Sequence, residues 1–247
     1  MAVCLSLASA KSVVRRREEY RHSLRRAGAA AALLVAFGAP ALGATDVISL
    51  PRNAEVVAEG DSLTYGLDAT PGVNMPPING SGQPRSRAPY PETLAAMLKQ
   101  CRITNHGYPG DRSVDGLVRW QNAKPAALSL LMYGSNDALN NGHASSGVVS
   151  VKTFTEVLSL LISNRRSEGS KILVMLPPPI KDTRADRLIE NYRQAARKVA
   201  NQQSLPVIDI PDVLKGIDPI WTEDRVHLSE KANIRIAEFL SQHIRCE

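Results

Sequence analysis

Three cysteines in 247 residues are too few for a disulfide-dense miniprotein or a cysteine-rich zinc array. Aromatic residues make up only 4% of the chain, so a broad sugar-stacking platform is not assured. Charge of one sign is also missing over most of the length. Seven of the 30 Lys and Arg, but only two of the 24 Asp and Glu, lie in residues 1–44, so residues 45–247 carry 23 against 22. The formal charge of +6 is therefore mostly a property of the front segment. The clustered basic face that nucleic acid binding requires is absent from the rest. No set of His, Cys and Asp has recognisable metal-ligand spacing. The longest apolar run, Ala27 to Gly38, falls short of the roughly 20 residues that span a bilayer. What remains, 43% hydrophobic and 22% charged, is a globular composition.

The front segment has the order of an export signal. Arg15, Arg16, Arg17, Arg21, Arg25 and Arg26 precede the apolar run, and Ala39-Pro-Ala-Leu-Gly-Ala44 supplies small residues after it. Cleavage near 43/44 would leave one domain over 45–247, secreted or periplasmic, without a stable membrane anchor; the alternative is an uncleaved anchor helix. No Cys follows the apolar run, so a lipoprotein anchor has no support. Cys4 leaves with the signal. Cys101 and Cys246 remain, and at this stage both a disulfide and two buried thiols are open.

From residue 55 onward, short apolar runs alternate with helical periodicity. Strands are predicted at 55–59, 102–105, 128–133, 171–176 and 206–209. Helices are predicted at 91–100, 113–121, 151–166, 184–201 and 229–244, with Val114, Leu117 and Val118 facing inward in the second. Five strands separated by helices imply a parallel sheet covered on both faces, a three-layer α/β/α domain. Residues 64–89, rich in Pro, Gly, Asn and Ser, form a long loop. Ligands of such sheets bind at the carboxyl ends of the strands, which makes residues just after strands the candidates for chemistry.

Four blocks pass that filter. Gly60-Asp-Ser-Leu-Thr-Tyr-Gly66 follows the first strand, Asn105-His-Gly-Tyr-Pro-Gly-Asp-Arg-Ser113 the second, and Tyr133-Gly-Ser-Asn-Asp137 the third. Asp224-Arg-Val-His-Leu-Ser229 precedes the last helix. Taken singly, each also reads as ordinary turn or capping chemistry. The Asp-x-x-His spacing adds something more, because a carboxylate three residues from an imidazole can fix its tautomer and favour its protonated form.

As an ordered set, the blocks resemble those of the SGNH/GDSL hydrolases, an esterase superfamily named for Ser, Gly, Asn and His in four successive blocks. The resemblance covers essentially the whole chain after the front segment. It implies a flavodoxin-like five-stranded parallel sheet and serine chemistry without metal or cofactor. Ser62 matches the nucleophile, Asp224 and His227 the closing pair. Gly110 and Asn136 match the oxyanion donors, together with the Ser62 N–H. Ser135 stands where many relatives carry a second glycine. In the flavodoxin-like strand order the first and last helices share one sheet face. Cys101 and Cys246 then fall at the edge opposite the site, where a disulfide is plausible.

Tyr65, Tyr108 and Trp221 lie close in sequence to these blocks and are candidate substrate contacts, and His106 is a candidate to line the site. Asp61 and Asp137 are expected to bond loop backbone, and Arg225 to be a solvated charge. The 64–89 loop carries Arg85 and Arg87 and has no apolar stretch long enough for a lipid lid. That favours a small acyl group on a carbohydrate or other polar alcohol, hence a small-molecule or glycan ester as partner. The alternatives are a lipase, lysophospholipase or thioesterase-type hydrolase, a polysaccharide O-acyltransferase, and a non-catalytic carbohydrate-binding module.

Overall fold

Every residue of the strand Leu128–Met132 is buried, as a parallel strand covered on both faces must be. The computed structural model describes residues 47–70, 72, 74–139 and 147–247. The segment 1–44, read above as an export signal, lies outside the described residues, as do Pro71 and Val73 of the long loop. The strands are β1 (Ile48–Leu50), β2 (Glu55–Gly60), β3 (Arg102–Gly107), β4 (Leu128–Met132), β5 (Lys171–Leu176), β6 (Val207–Asp209) and β7 (Ile244–Cys246). The main sheet has the order β3-β2-β4-β5-β6, with every pair parallel. The five parallel strands are those the sequence pattern implies, and their order is the flavodoxin-like one that the family resemblance implies.

The helices are α1 (Ser62–Tyr65), α2 (Tyr90–Met97), α3 (Ser113–Arg119), α4 (Ser135–Leu139), α5 (Val151–Ser167), α6 (Thr183–Gln202), α7 (Ile210–Val213) and α8 (Glu230–His243). Alternate strand residues serve alternate faces. Val56, Ala58, Leu130, Met132 and Leu173 pack under α2, α7 and α8. Leu131, Tyr133, Ile172 and Val174 pack under α5 and α6. Side-chain caps start the long helices: Ser150 Oγ accepts from Thr153 N, Asp182 Oδ1 from Arg184 N and Ala185 N, and Ser229 Oγ from Ala232 N.

One position of α3 departs from the sequence expectation, while Val114 and Leu117 pack against the core as expected. Val118 is 64% exposed instead of facing inward. Gly116 takes the buried position, because Tyr133 fills the space beneath it. A Cβ on Gly116 would lie 2.1 Å from the Tyr133 hydroxyl. A second departure lies at the chain's end. The last helix stops at His243, and β7 pairs in parallel with β1 as a separate two-stranded sheet. Three-residue strands carry too little periodicity to be read in advance.

Two features position the site. β3 and β4 flank β2, so the chain leaves β2 in one direction and returns on its other side. That reversal opens a crevice at the carboxyl ends of the strands. At the amino end, Cys101 and Cys246 form a disulfide with Cα atoms 5.5 Å apart across a sequence separation of 145. It ties β7 to the turn before β3, on the far side of the sheet from the crevice. Closing so long a loop stabilises by about 4–5 kcal/mol through the unfolded chain. The Cys101→Ser/Cys246→Ser protein should therefore unfold at a clearly lower denaturant concentration than the oxidised wild type. Thiol titration of the unreduced, unfolded wild type should detect neither cysteine. Equal midpoints, or two free thiols, would contradict this.

Candidate active site

Gly60 ends β2 where the chain passes Thr64 and the Met132 carbonyl so closely that a Cβ would clash with both, at 2.2 and 2.6 Å. Asp61 then caps a single helical turn, its Oδ1 accepting from Leu63 N at 2.9 Å. Gly66, at φ 79°, closes the turn in the left-handed region that glycine adopts without strain. Ser62 is thereby the first residue of α1, at the carboxyl edge of the strand next to the centre of the sheet.

His227 reaches Ser62 from the far end of the chain. Its Nε2 lies 2.9 Å from Ser62 Oγ, and its Nδ1 lies 2.6 Å from Asp224 Oδ2. The second oxygen of Asp224 accepts from Val226 N and His227 N, both at 2.8 Å, and from the Thr222 hydroxyl at 3.0 Å. Partial burial pushes the Asp224 carboxyl upward. The hydrogen bonds from the His227 ring and from the His227 and Val226 backbone outweigh it and hold the group well below the usual carboxylate range. An ionised Asp224 accepts the Nδ1 proton, which leaves the Nε2 lone pair facing the serine hydroxyl. Arg225, exposed and at φ 64°, sits in the tight turn that makes this local geometry: Thr222 N donates to the His227 carbonyl and Arg225 N to the Thr222 carbonyl.

Gly110 follows β3 and Asn136 lies in α4, directly after β4, so these residues and Ser62 occupy the ends of three adjacent strands. Gly110 has φ 82°, again a conformation suited to glycine. Asn136 Nδ2 donates to the carbonyl of Asp111, the residue after Gly110, at 3.0 Å. The two blocks are therefore joined directly. The next residues are joined as well. Ser113 N and Ser113 Oγ donate to the buried Asp137 carboxylate, with the hydroxyl at 2.6 Å. Burial pushes Asp137 up to about 6, against the lowering effect of those bonds. Burial pushes Asp61 further, to about 7, with the Leu63 N–H and His227 pulling the other way. Both acids bond backbone N–H groups, as the sequence reading expects, but in the first turns of α1 and α3 instead of in loops.

The three candidate aromatic contacts fare differently. Tyr65 is fully buried. Its hydroxyl donates to the Gln83 carbonyl and accepts from Ser81 Oγ, both at 2.6 Å. It anchors the long loop and presents no surface to a substrate, which corrects that expectation. Tyr108 is half-buried, with the Arg119 guanidinium carbon 3.5 Å from its ring centre. Trp221 is half-buried and donates Nε1–H to the Pro179 carbonyl at 2.7 Å. His106 does not line the crevice. It stacks on Trp120, ring centres 4.0 Å apart, along the wall of a separate cavity of about 650 Å³ beside β3. Burial pushes it down to about 4. The loop's two arginines also divide. Arg85 is buried against Glu92 and the Tyr65 carbonyl, and Arg87 is exposed and pairs with Glu230.

Sequence reasoning missed Thr222, Asp111 and Arg119 around the site. Asp111 is adjacent to a recognised glycine and was open to notice. Arg119 carries no local signal beyond helical position. Among the described residues, no group of three or more His, Cys, Asp and Glu is placed to hold a metal ion. No helix among them is long and apolar enough to cross a membrane.

The Asp61 environment sets a pH dependence. Its folded-state value of about 7 exceeds its ordinary 3.8, so the folded protein keeps a proton that the unfolded chain gives up. That contribution to stability is fully present below 3.8 and is lost as pH rises through about 7. Between about pH 5 and pH 8, the melting temperature of the wild type should fall more steeply than that of Asp61→Asn. Parallel curves would show that Asp61 carries no such shift.

The sequence matches the GDSL-like lipase/acylhydrolase family over residues 58–233. No curated protein sequence matches the chain. Several solved structures share the fold. The lipase/acylhydrolase from Enterococcus faecalis is 22% identical with a TM-score of 0.61, covering 76% of this chain and 94% of its own. An acetylxylan esterase from Geobacillus stearothermophilus is 20% identical with a TM-score of 0.61, covering 78% and 94%. An alpha/beta hydrolase enzyme from the metagenome of Lake Arreo, Spain, is 19% identical with a TM-score of 0.62, covering 78% and 96%. With the family's sequence pattern running from within β2 into α8, across all four blocks, the chain belongs to the GDSL-like lipase/acylhydrolase family and is a carboxylic ester hydrolase of the SGNH type.

Proposed function

We propose that the protein hydrolyses short-chain esters through an acyl-enzyme on Ser62, removing O-acyl groups from a carbohydrate or another polar alcohol outside the cytoplasm. The observation that carries the reading is the unbroken hydrogen-bonded row Asp224, His227, Ser62. A serine hydroxyl is a weak nucleophile until a neighbouring base takes its proton. In this reading His227 Nε2 removes that proton as Oγ attacks the ester carbonyl, and Asp224 stabilises the resulting imidazolium. The carbonyl oxygen becomes an anion, held by the N–H groups of Ser62 and Gly110 and by the Asn136 amide. Asn136 is suited to this, because one amide hydrogen bonds the Asp111 carbonyl and the other remains to donate. His227 then gives its proton to the leaving alcohol. Water, activated by the same imidazole, attacks the acyl carbon and restores Ser62.

The substrate preference rests on the loop and the cleft walls. The described residues of the 66–89 loop are pinned by Arg85, Glu92, Tyr65 and Ser81, polar contacts unlike the apolar surface of a lipid lid. Tyr108 and Trp221 are the rings left to meet an alcohol or sugar. An acetylxylan esterase shares the fold, and it acts on esters of this class. Export rests on the order of residues 1–44, which form the cleaved signal in this reading, with 45–247 the mature domain.

An ester panel crossing acyl length with alcohol type tests the proposal. Acetyl and other short acyl groups on sugars should be turned over faster than long-chain lipid esters, and Ser62→Ala should abolish both turnover and fluorophosphonate labelling. Asn136→Ala should remain folded and lose about 10²–10³ in kcat, the usual effect of removing one oxyanion donor. A preference for long acyl chains would sink the substrate assignment, and undiminished turnover by Ser62→Ala would sink the nucleophile. Product analysis with an acceptor glycan present separates hydrolysis from acyl transfer.

A further inference from the structure

We infer that Arg119 is a positioning residue for the oxyanion donors, holding both flanks of Gly110 and, through Asp111, the Asn136 amide. The inference rests on the ester-hydrolase reading above and extends it to a residue outside the four blocks.

Arg119 ends α3, nine residues beyond Gly110. Its Nε donates to Asp111 Oδ2 at 2.7 Å and its Nη2 to Asp111 Oδ1 at 2.8 Å, a two-pronged contact that fixes direction as well as distance. The same guanidinium lies over the Tyr108 ring, 3.5 Å from its centre. Tyr108 and Asp111 bracket Gly110 in sequence, and Asp111 N donates to the Tyr108 carbonyl at 3.1 Å, closing the turn. One cation thus grips the turn from both sides.

The grip passes to the second donor through the backbone. The carbonyl of Asp111 is the acceptor for Asn136 Nδ2 at 3.0 Å. This bond sets which amide hydrogen is engaged and how the side chain is rotated. If Asp111 moves, the Asn136 amide loses its stop and Gly110 its left-handed conformation. Arg119 holds both oxygens of the Asp111 carboxylate. Asp111 is fully buried in its side chain, whereas Arg119 is 31% exposed. Losing a two-pronged cation pushes a buried carboxylate toward a proton or toward water. Either response disturbs the carbonyl on the same residue. An ordinary surface ion pair would carry no such consequence.

The test compares wild type, Arg119→Met, Arg119→Lys, Asn136→Ala and the double variant Arg119→Met/Asn136→Ala on one short-chain ester, with thermal melting alongside. Arg119→Met should lower kcat about tenfold to a hundredfold, with KM within about twofold, because small misplacements of catalytic donors act on the transition state. Arg119→Lys retains the charge over Tyr108 but lacks the fork, so its kcat should fall between the two. The double variant should lose clearly less than the product of the two single losses, since the Asn136 share of the Arg119 effect is already gone while the Gly110 share remains. A role in stability alone would lower the melting temperature and leave kcat of the folded protein intact. Wild-type kcat in folded Arg119→Met overturns the inference, and so does a loss that multiplies in full with Asn136→Ala. If Arg119→Met melts below the assay temperature, Arg119→Lys and its double variant with Asn136→Ala supply the same comparison. A wild type that turns over no ester would defeat the ester-hydrolase reading and this inference with it. An active wild type beside an unaffected Arg119→Met defeats the positioning role alone.

Discussion

His227 has both ring nitrogens engaged, one locally and one across the molecule: Nδ1 meets Asp224, three residues away, and Nε2 meets Ser62, 165 residues away. The long-range bond is the interaction on which the rest of the site depends. It requires the loop before α8 to arrive over the end of β2, and the packing of α8 beside α2 brings it there. Asn233 of α8 holds this arrangement at three points. Its Oδ1 accepts from Tyr90 N at the start of α2, and its Nδ2 donates to the Leu228 and Ser229 carbonyls. Ser229 adds bonds to the Pro219 and Ile220 carbonyls. The histidine is therefore delivered on a loop fixed to the scaffold on both sides, which is how a loop residue acquires the precision of a helical one.

Below the crevice the domain is unusually polar for its depth. Asp61, Asp111, Asp137 and Glu59 are all buried. Each has named partners: the Leu63 backbone, Arg119, Ser113, and the Arg165 fork at 2.7 and 3.0 Å. Buried carboxylates are costly unless satisfied, and a satisfied network admits few alternative geometries. An apolar core tolerates a displacement of a few tenths of an ångström more easily than such a network does. The polar layer lies directly beneath the strand ends that carry Ser62, Gly110 and Asn136. The carboxylates sit where precision matters, and the aliphatic packing sits where it does not.

Much of this was legible in advance. The strands at 55–59 and 171–176 were readable because each is a short apolar run bounded by Gly or Pro, and the helix at 151–166 because its apolar residues recur at helical spacing. Ser62, Gly110, Asn136 and Asp224/His227 were readable as an ordered set of blocks at the ligand edge that resembles the SGNH/GDSL pattern; singly, each reads as turn or capping chemistry. Tyr65 was misplaced for a physical reason. Nearness in sequence to Ser62 says nothing about which way the side chain of a one-turn helix points, and that direction is set by Gln83 and Ser81 in a distant loop. Val118 was misplaced because the burial of Gly116 depends on Tyr133, a residue of another strand's end. Arg119 was missed because its significance lies entirely in what it touches.

Local chemistry determined the order of elements, the parallel sheet and the identity of the four blocks. Hydrophobic period, turn residues and caps act over a few positions, and those are written in the chain. Tertiary structure alone decided which of two cysteine states exists, that Tyr65 turns away into the long loop, and which cation holds the glycine turn. These outcomes depend on side chains meeting from remote positions, where a rotation of one helix or a change of one loop replaces every partner. Asp224 and His227 mark the boundary. Their mutual bond follows from a spacing of three residues, and the serine to which they point is supplied only by the fold.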